Sequence, residues 1–146
     1  MFPYMPRSAS KRRHPRKPPL GLAEDERPFV HEDIVRGIEA KRVKDLIDRG
    51  VLGAKQVFRV IPERTFGRRL AKREALKPSE ADAIGRLLRI SETAAKTFGD
   101  VEFARKWLRL PNPALENRIP IELAETDAGA REVEVILTRI AHGVYS

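Results

Sequence analysis

Apolar residues recur at three- and four-residue spacing from His31 onward. Ile34, Val35, Ile38, Val43, Leu46 and Ile47 mark a first helical segment, with Gly50 and Gly53 as its stops. Ala54 to Arg59 form a short helix with Val57 and Phe58 inward, and Val60-Ile61 make a tight turn. A second helix runs from about Pro62, which suits a first helical position, to Glu74, with Phe66 and Leu70 on its apolar side. Ser79 reads as the cap of a long helix whose stripe is Ile84, Leu87, Leu88, Ala94, Ala95 and Phe98, with Asp82 reaching back to its start and Gly99 ending it. Asp100 caps the next helix, whose face is Phe103, Ala104, Trp107 and Leu108 and which Pro111 stops. Thr126 caps the last helix, with Val133, Ile136, Leu137, Ile140 and Val144 toward the core. No stretch alternates long enough for a strand, so the fold class is all-α.

The N-terminal segment breaks this pattern. Residues 1–28 contain six prolines, and residues 1–20 hold six Lys/Arg and no acid. Missing backbone donors and like charges predict an arm with no structure of its own, either a solvated tail or a basic strap along DNA phosphates. Net charge is +8 overall, yet residues 99–146 hold eight acids against six bases. The two ends therefore face different partners. The organisation predicted is a basic arm over 1–28, a helix-turn-helix DNA-binding and dimerisation domain over 29–98, and a partner-binding domain over 99–146, with the long helix joining the last two into one core.

On the helix from Pro62 to Glu74, Arg64, Thr65, Arg68, Arg69 and Lys72 fall within an arc of about 140°. A short helix, a turn and a basic helix match the geometry of a major-groove reader. Arg64, Thr65 and Arg68 are the candidates for base edges, and Arg69, Lys72 and Lys77 for phosphates. The competing reading of the same residues is a solvated basic face.

The last forty residues carry the most distinctive pattern. Phe98-Gly99, Ala104 to Leu108, Pro111 to Leu115, Pro120 to Leu123, Thr126 to Ala130, and Val133, Leu137, Arg139, Ile140, Gly143, Val144 and Tyr145 together resemble the toxin-binding domain of the Xre/MbcA/ParS antitoxins. That resemblance implies an upstream helix-turn-helix domain, a RES-domain toxin as partner, and occlusion of the toxin's NAD pocket by the antitoxin's C-terminal region. It also implies that the toxin breaks NAD down or transfers its ADP-ribose to a protein. Antitoxins of this kind commonly repress their own operon as dimers, with half-sites about one helical turn apart.

Within that stretch, Val135, Arg139, His142, Gly143, Val144, Tyr145 and Ser146 are the candidate toxin-binding residues. Val135 is apolar on the face opposite the core stripe, where incidental exposure and partner contact are both open. His142 suits either the helix-end carbonyls or a partner. Tyr145 offers ring area and a hydroxyl, and a Ser146 carboxylate could meet cations that otherwise hold NAD phosphates. Trp107 and the Pro111–Pro113 corner read as structural.

Other chemistry is not indicated. With no Cys there is neither a disulfide framework nor thiolate catalysis, and His14, His31 and His142 lack metal-ligand spacing. No nucleophile elbow, phosphate loop or dinucleotide fingerprint is present. No catalytic residue, metal or cofactor is expected in this chain. The absence of a signal-type or membrane-spanning apolar run points to the cytoplasm. A transcription regulator without a toxin partner is the alternative function.

Overall fold

Capping chemistry and glycine breaks divide the chain into the segments that fold. The computed structural model describes residues 27–143, and the arm expected over 1–28 lies almost wholly outside them. Eight α-helices follow one another: α1 (His31–Arg36), α2 (Ala40–Asp48), α3 (Ala54–Val60), α4 (Glu63–Lys72), α5 (Pro78–Phe98), α6 (Val101–Arg109), α7 (Pro120–Leu123) and α8 (Asp127–Ala141). A single 3-10 turn, Pro113–Leu115, separates α6 from α7. Among the described residues there is no β-strand, only the isolated bridges Glu39–Ala75 and Asn112–Arg118.

The first predicted segment is two helices. Gly37, at φ 106°, adopts a backbone closed to L side chains and breaks the ladder between Ile34 and Ile38. The break lets Ile38 drop into the core at 2% exposure and leaves Val35 71% exposed. Ile38 O then accepts from Leu76 N at 2.7 Å, which ties the α1–α2 joint to the α4–α5 joint.

Two helix starts also differ from expectation. Pro62 is the N-cap of α4, one place before its first turn, and Ile61 is fully buried between α3 and α4. Helix α5 begins at Pro78, not after Ser79, because the Glu80 carboxylate accepts from Lys77 N at 2.8 Å and so caps from within the first turn. Elsewhere the caps fall where the side chains direct them. Asp100 Oδ1 accepts from Phe103 N at 3.0 Å, and Thr126 Oγ1 accepts from Gly129 N at 3.0 Å.

One continuous core runs through both halves, with Val43, Leu46, Val57, Ile84, Leu87, Ile90, Val133 and Leu137 essentially sealed from solvent. Helix α5 is its axis, packing against α6 and α8 and against α1 and α3. Gly129 allows α8 to start hard against α7: a Cβ there would sit 2.7 Å from the Leu123 carbonyl carbon and closer still to its oxygen. The halves also meet through charge. Arg86 on α5 donates to Ala124 O at 3.0 Å and Glu125 O at 2.7 Å, satisfying carbonyls at the end of α7. From α3, Arg59 pairs with Glu125 at 2.9 Å and Lys55 with Glu122 at 3.4 Å.

Candidate partner-binding surfaces

Helices α3 and α4 are held by a hydrophobic clamp. Val57 and Phe66 are buried, and the Phe58 and Phe66 rings meet edge-on with centroids 5.9 Å apart. That contact turns the opposite side of α4 outward. Arg64, Arg68 and Lys72 are exposed there, Thr65 is half-buried, and Lys77 is exposed at the start of α5. Arg68 reaches Glu74 at 4.0 Å, a loose surface pair that leaves its guanidinium available.

Arg69 does not join this face. It is 6% exposed and is hydrogen-bonded through Nη1 to Glu80 Oε1. The reason is angular: Arg69 lies about 60° from Phe66 around the helix, on the flank of the buried side, whereas Arg64, Arg68 and Lys72 are all farther from it. Its assignment to phosphate contact is therefore corrected to a structural one. Burial pushes the Glu80 carboxyl up, but the Arg69 hydrogen bond, the Lys77 amide and the charges of both residues outweigh it and hold Glu80 below its ordinary value. The basic arc narrows to Arg64, Thr65, Arg68 and Lys72, flanked by Lys77.

In the C-terminal half, α8 buries Ala130, Val133, Ile136 and Leu137 and half-buries Ile140. Its outer face carries Val135, Arg139 and His142 within about 60° of arc. Val135 is 49% exposed, and Arg139, His142 and Gly143 are exposed as well. Arg139 has no ion pair among the described residues, whereas Glu134 and Glu132 are engaged with Arg89 and Arg118 at 3.2 and 3.0 Å. Ala141 and His142 share a groove with Lys96 and Thr97, so the end of α8 lies beside the last turn of α5. Val144, Tyr145 and Ser146 fall outside the described residues.

Trp107 is half-buried, its ring centroid 5.3 Å from that of Phe98. Phe103, assigned to the same inward face from its spacing, is 54% exposed. Leu110 is 58% exposed just past the helix. Trp107 leans on the core as its spacing suggested; the sequence reading missed the outward position of Phe103, which lies one position before Ala104 and was merged with it into one face.

Residues 93–143 match the family described as the antitoxin Xre/MbcA/ParS C-terminal toxin-binding domain. An Antitoxin Xre of Pseudomonas putida is 31% identical over 114 residues, covering 78% of this chain and 72% of that protein. The chain belongs to the Xre antitoxin family. An Antitoxin Xre of Yersinia enterocolitica is 37% identical over 87 residues, 59% of each protein. One from Photorhabdus laumondii is 25% identical over 130 residues, 87% of this chain and 88% of that protein. In this Xre-type chain the matched domain begins at Thr93, inside α5, and takes in α6, α7 and α8 to Gly143. No helix among the described residues is long and apolar enough to cross a membrane.

Proposed function

We propose that this chain is the antitoxin of a RES-domain toxin, which it silences by covering the toxin's NAD pocket with the outer face of α8 and the segment that follows Gly143. The observation that carries this reading is the toxin-binding match over residues 93–143, which ends where α8 comes out to solvent. Val135, Arg139 and His142 supply an apolar contact and cationic or hydrogen-bonding groups on one face, and Arg139 has no competing partner among the described residues. Val144, Tyr145 and Ser146 would enter the pocket and exclude the dinucleotide sterically. The chain itself takes no chemical step. Deleting Val144 to Ser146 is expected to restore NAD consumption by the partner while the complex still assembles through α8. Full inhibition by the truncated protein would refute pocket entry.

The same reading gives α3 and α4 a second role, binding operator DNA as a homodimer with α4 in the major groove. Support comes from the outward Arg64, Thr65, Arg68 and Lys72 opposite the Phe66 clamp, with Lys77 placed for a phosphate. Arg64→Ala combined with Arg68→Ala is expected to abolish the gel shift of the chain's own promoter and leave toxin inhibition intact. Loss of both activities together would instead indicate damaged folding.

A further inference from the structure

Helix α6 carries a second apolar row beside the one that enters the core, and the fold covers this row only in part: Phe98 and Trp107 lean on the core, whereas Phe103 and Leu110 stay exposed. Ala104 and Leu108 point into the core at 1% and 3% exposure. Phe103, Trp107 and Leu110, spaced by four and three residues, form a second stripe about 100° away. Phe98, from the last turn of α5, extends it: its ring centroid lies 5.0 Å from that of Phe103 and 5.3 Å from that of Trp107. Isolated exposed apolar residues are ordinary on protein surfaces, but exposed Phe103 and Leu110 beside the half-buried rings of Phe98 and Trp107 have the composition of an interface centre. Val30 and Val35, also exposed, are single aliphatic residues elsewhere in the fold.

The charges along the stripe are informative. Arg105 pairs with Glu102 at 3.4 Å, Arg109 donates to Gly50 O at 3.1 Å, and Lys96 pairs with Glu92 at 3.5 Å. Lys106, on the stripe's edge, is exposed and has no partner among the described residues. An occupant with an apolar patch beside a carboxylate would satisfy both features. All the residues concerned lie within the matched toxin-binding segment, whereas Val30 and Val35 do not.

We propose that Phe98, Phe103, Trp107 and Leu110, edged by Lys106, form a second docking seat for the toxin polypeptide, receiving an apolar patch of it flanked by an acidic residue. This rests on the antitoxin reading and adds an anchoring surface separate from the segment that blocks the pocket. Loss of the seat should therefore release the toxin, whereas loss of the segment after Gly143 should only reactivate it within the complex.

The test measures binding of the full chain to its proposed RES-domain partner, by titration calorimetry and co-elution. Phe103→Asp combined with Leu110→Asp is expected to weaken binding roughly a hundredfold, as charges placed at an interface centre do. Lys106→Glu should weaken it about tenfold and Val35→Asp should not change it. Chain labelled with fluorotryptophan carries a single reporter, Trp107, whose fluorine resonance is expected to shift when toxin is added. Undiminished affinity in the double variant, or an unmoved Trp107 resonance, would overturn the seat. So would loss of self-association in the double variant with toxin affinity intact, which would assign the stripe to a second copy of this chain. Should the double variant lose its helical circular dichroism, Lys106→Glu and the Trp107 signal decide. A wild-type chain that binds no such protein sinks the antitoxin reading itself, a result distinct from all of these.

Discussion

The same substitution at two helical glycines is expected to move stability in opposite directions. At Gly129, the third residue of α8, an added methyl would lie 2.7 Å from the Leu123 carbonyl carbon and 3.1 Å from Thr126 Oγ1. Ordinary contacts between such atoms are about 3.5–4.0 Å, so α7 and α8 must separate by roughly 1 Å. The strain falls on backbone that cannot swing aside, because Leu123 O accepts from Thr126 N and Thr126 Oγ1 accepts from Gly129 N. Overpacking of this kind costs about 1–3 kcal/mol, and losing the Thr126 cap adds about 1 kcal/mol. The gain in helix propensity over glycine returns about 1 kcal/mol, leaving Gly129→Ala destabilised by about 1–3 kcal/mol. At Gly67, on the open face of α4, nothing lies within 4 Å of the added methyl. There the propensity gain stands alone, and Gly67→Ala is expected to stabilise by about 0.5–1 kcal/mol. Urea unfolding followed by circular dichroism reads both values from the midpoint at constant slope. A Gly129→Ala midpoint at or above that of the wild type would refute the close approach of α7 to α8.

Two further perturbations test the polar contacts that join the elements. Glu80→Ala leaves Arg69 buried without its carboxylate and should cost about 3 kcal/mol. Because the folded-state value of Glu80 is depressed, its contribution is present above the ordinary 4.5 and is lost as pH falls through the folded value. Stability measured on descending pH should therefore drop less steeply in Glu80→Gln than in the wild type, and identical slopes would contradict the assignment. Arg86→Ala removes both donors from the end of α7 and should lower stability by about 2 kcal/mol, measured by the same urea titration. A change below about 0.5 kcal/mol would show that water replaces the guanidinium.

What could be read from the chain follows from how local each determinant is. The caps at Asp100 and Thr126 and the stop at Pro111 act within one helical turn, so the starts of α6 and α8 and the end of α6 were legible. The core stripes of α5 and α8 were legible for the same reason, since i, i+3 and i+4 spacing fixes a face without reference to a neighbour. Gly37 was not, because Ile34 and Ile38 keep a helical interval across the break and only tertiary packing of Ile38 rewards breaking it. Arg69 failed differently. Spacing gives the arc of α4 but not the direction of the core, and a basic residue on its flank turns inward only because Glu80, eleven residues on, meets it there. The outward position of Phe103 was hidden because four large or apolar residues in two adjacent rows of α6 read as one wide face until packing divides them.

The seam between the halves follows from the same distinction. Lys55 and Arg59 on α3 and Arg86 on α5 look in sequence like surface charges of the basic half, yet all three reach α7 or the residues directly after it. Their partners are Glu122, Glu125 and two backbone carbonyls at the turn from which α8 departs, inside the matched toxin-binding segment. The exposed pairs contribute little individually to stability. Gly129 fixes α8 against that same turn by excluding any side chain. A displacement of α8 must therefore either open its contact with that turn at Gly129 or carry α7 with it and break the Arg86 bonds. In the second case the Lys55 and Arg59 pairs that join α3 to α7 and the turn after it must yield as well.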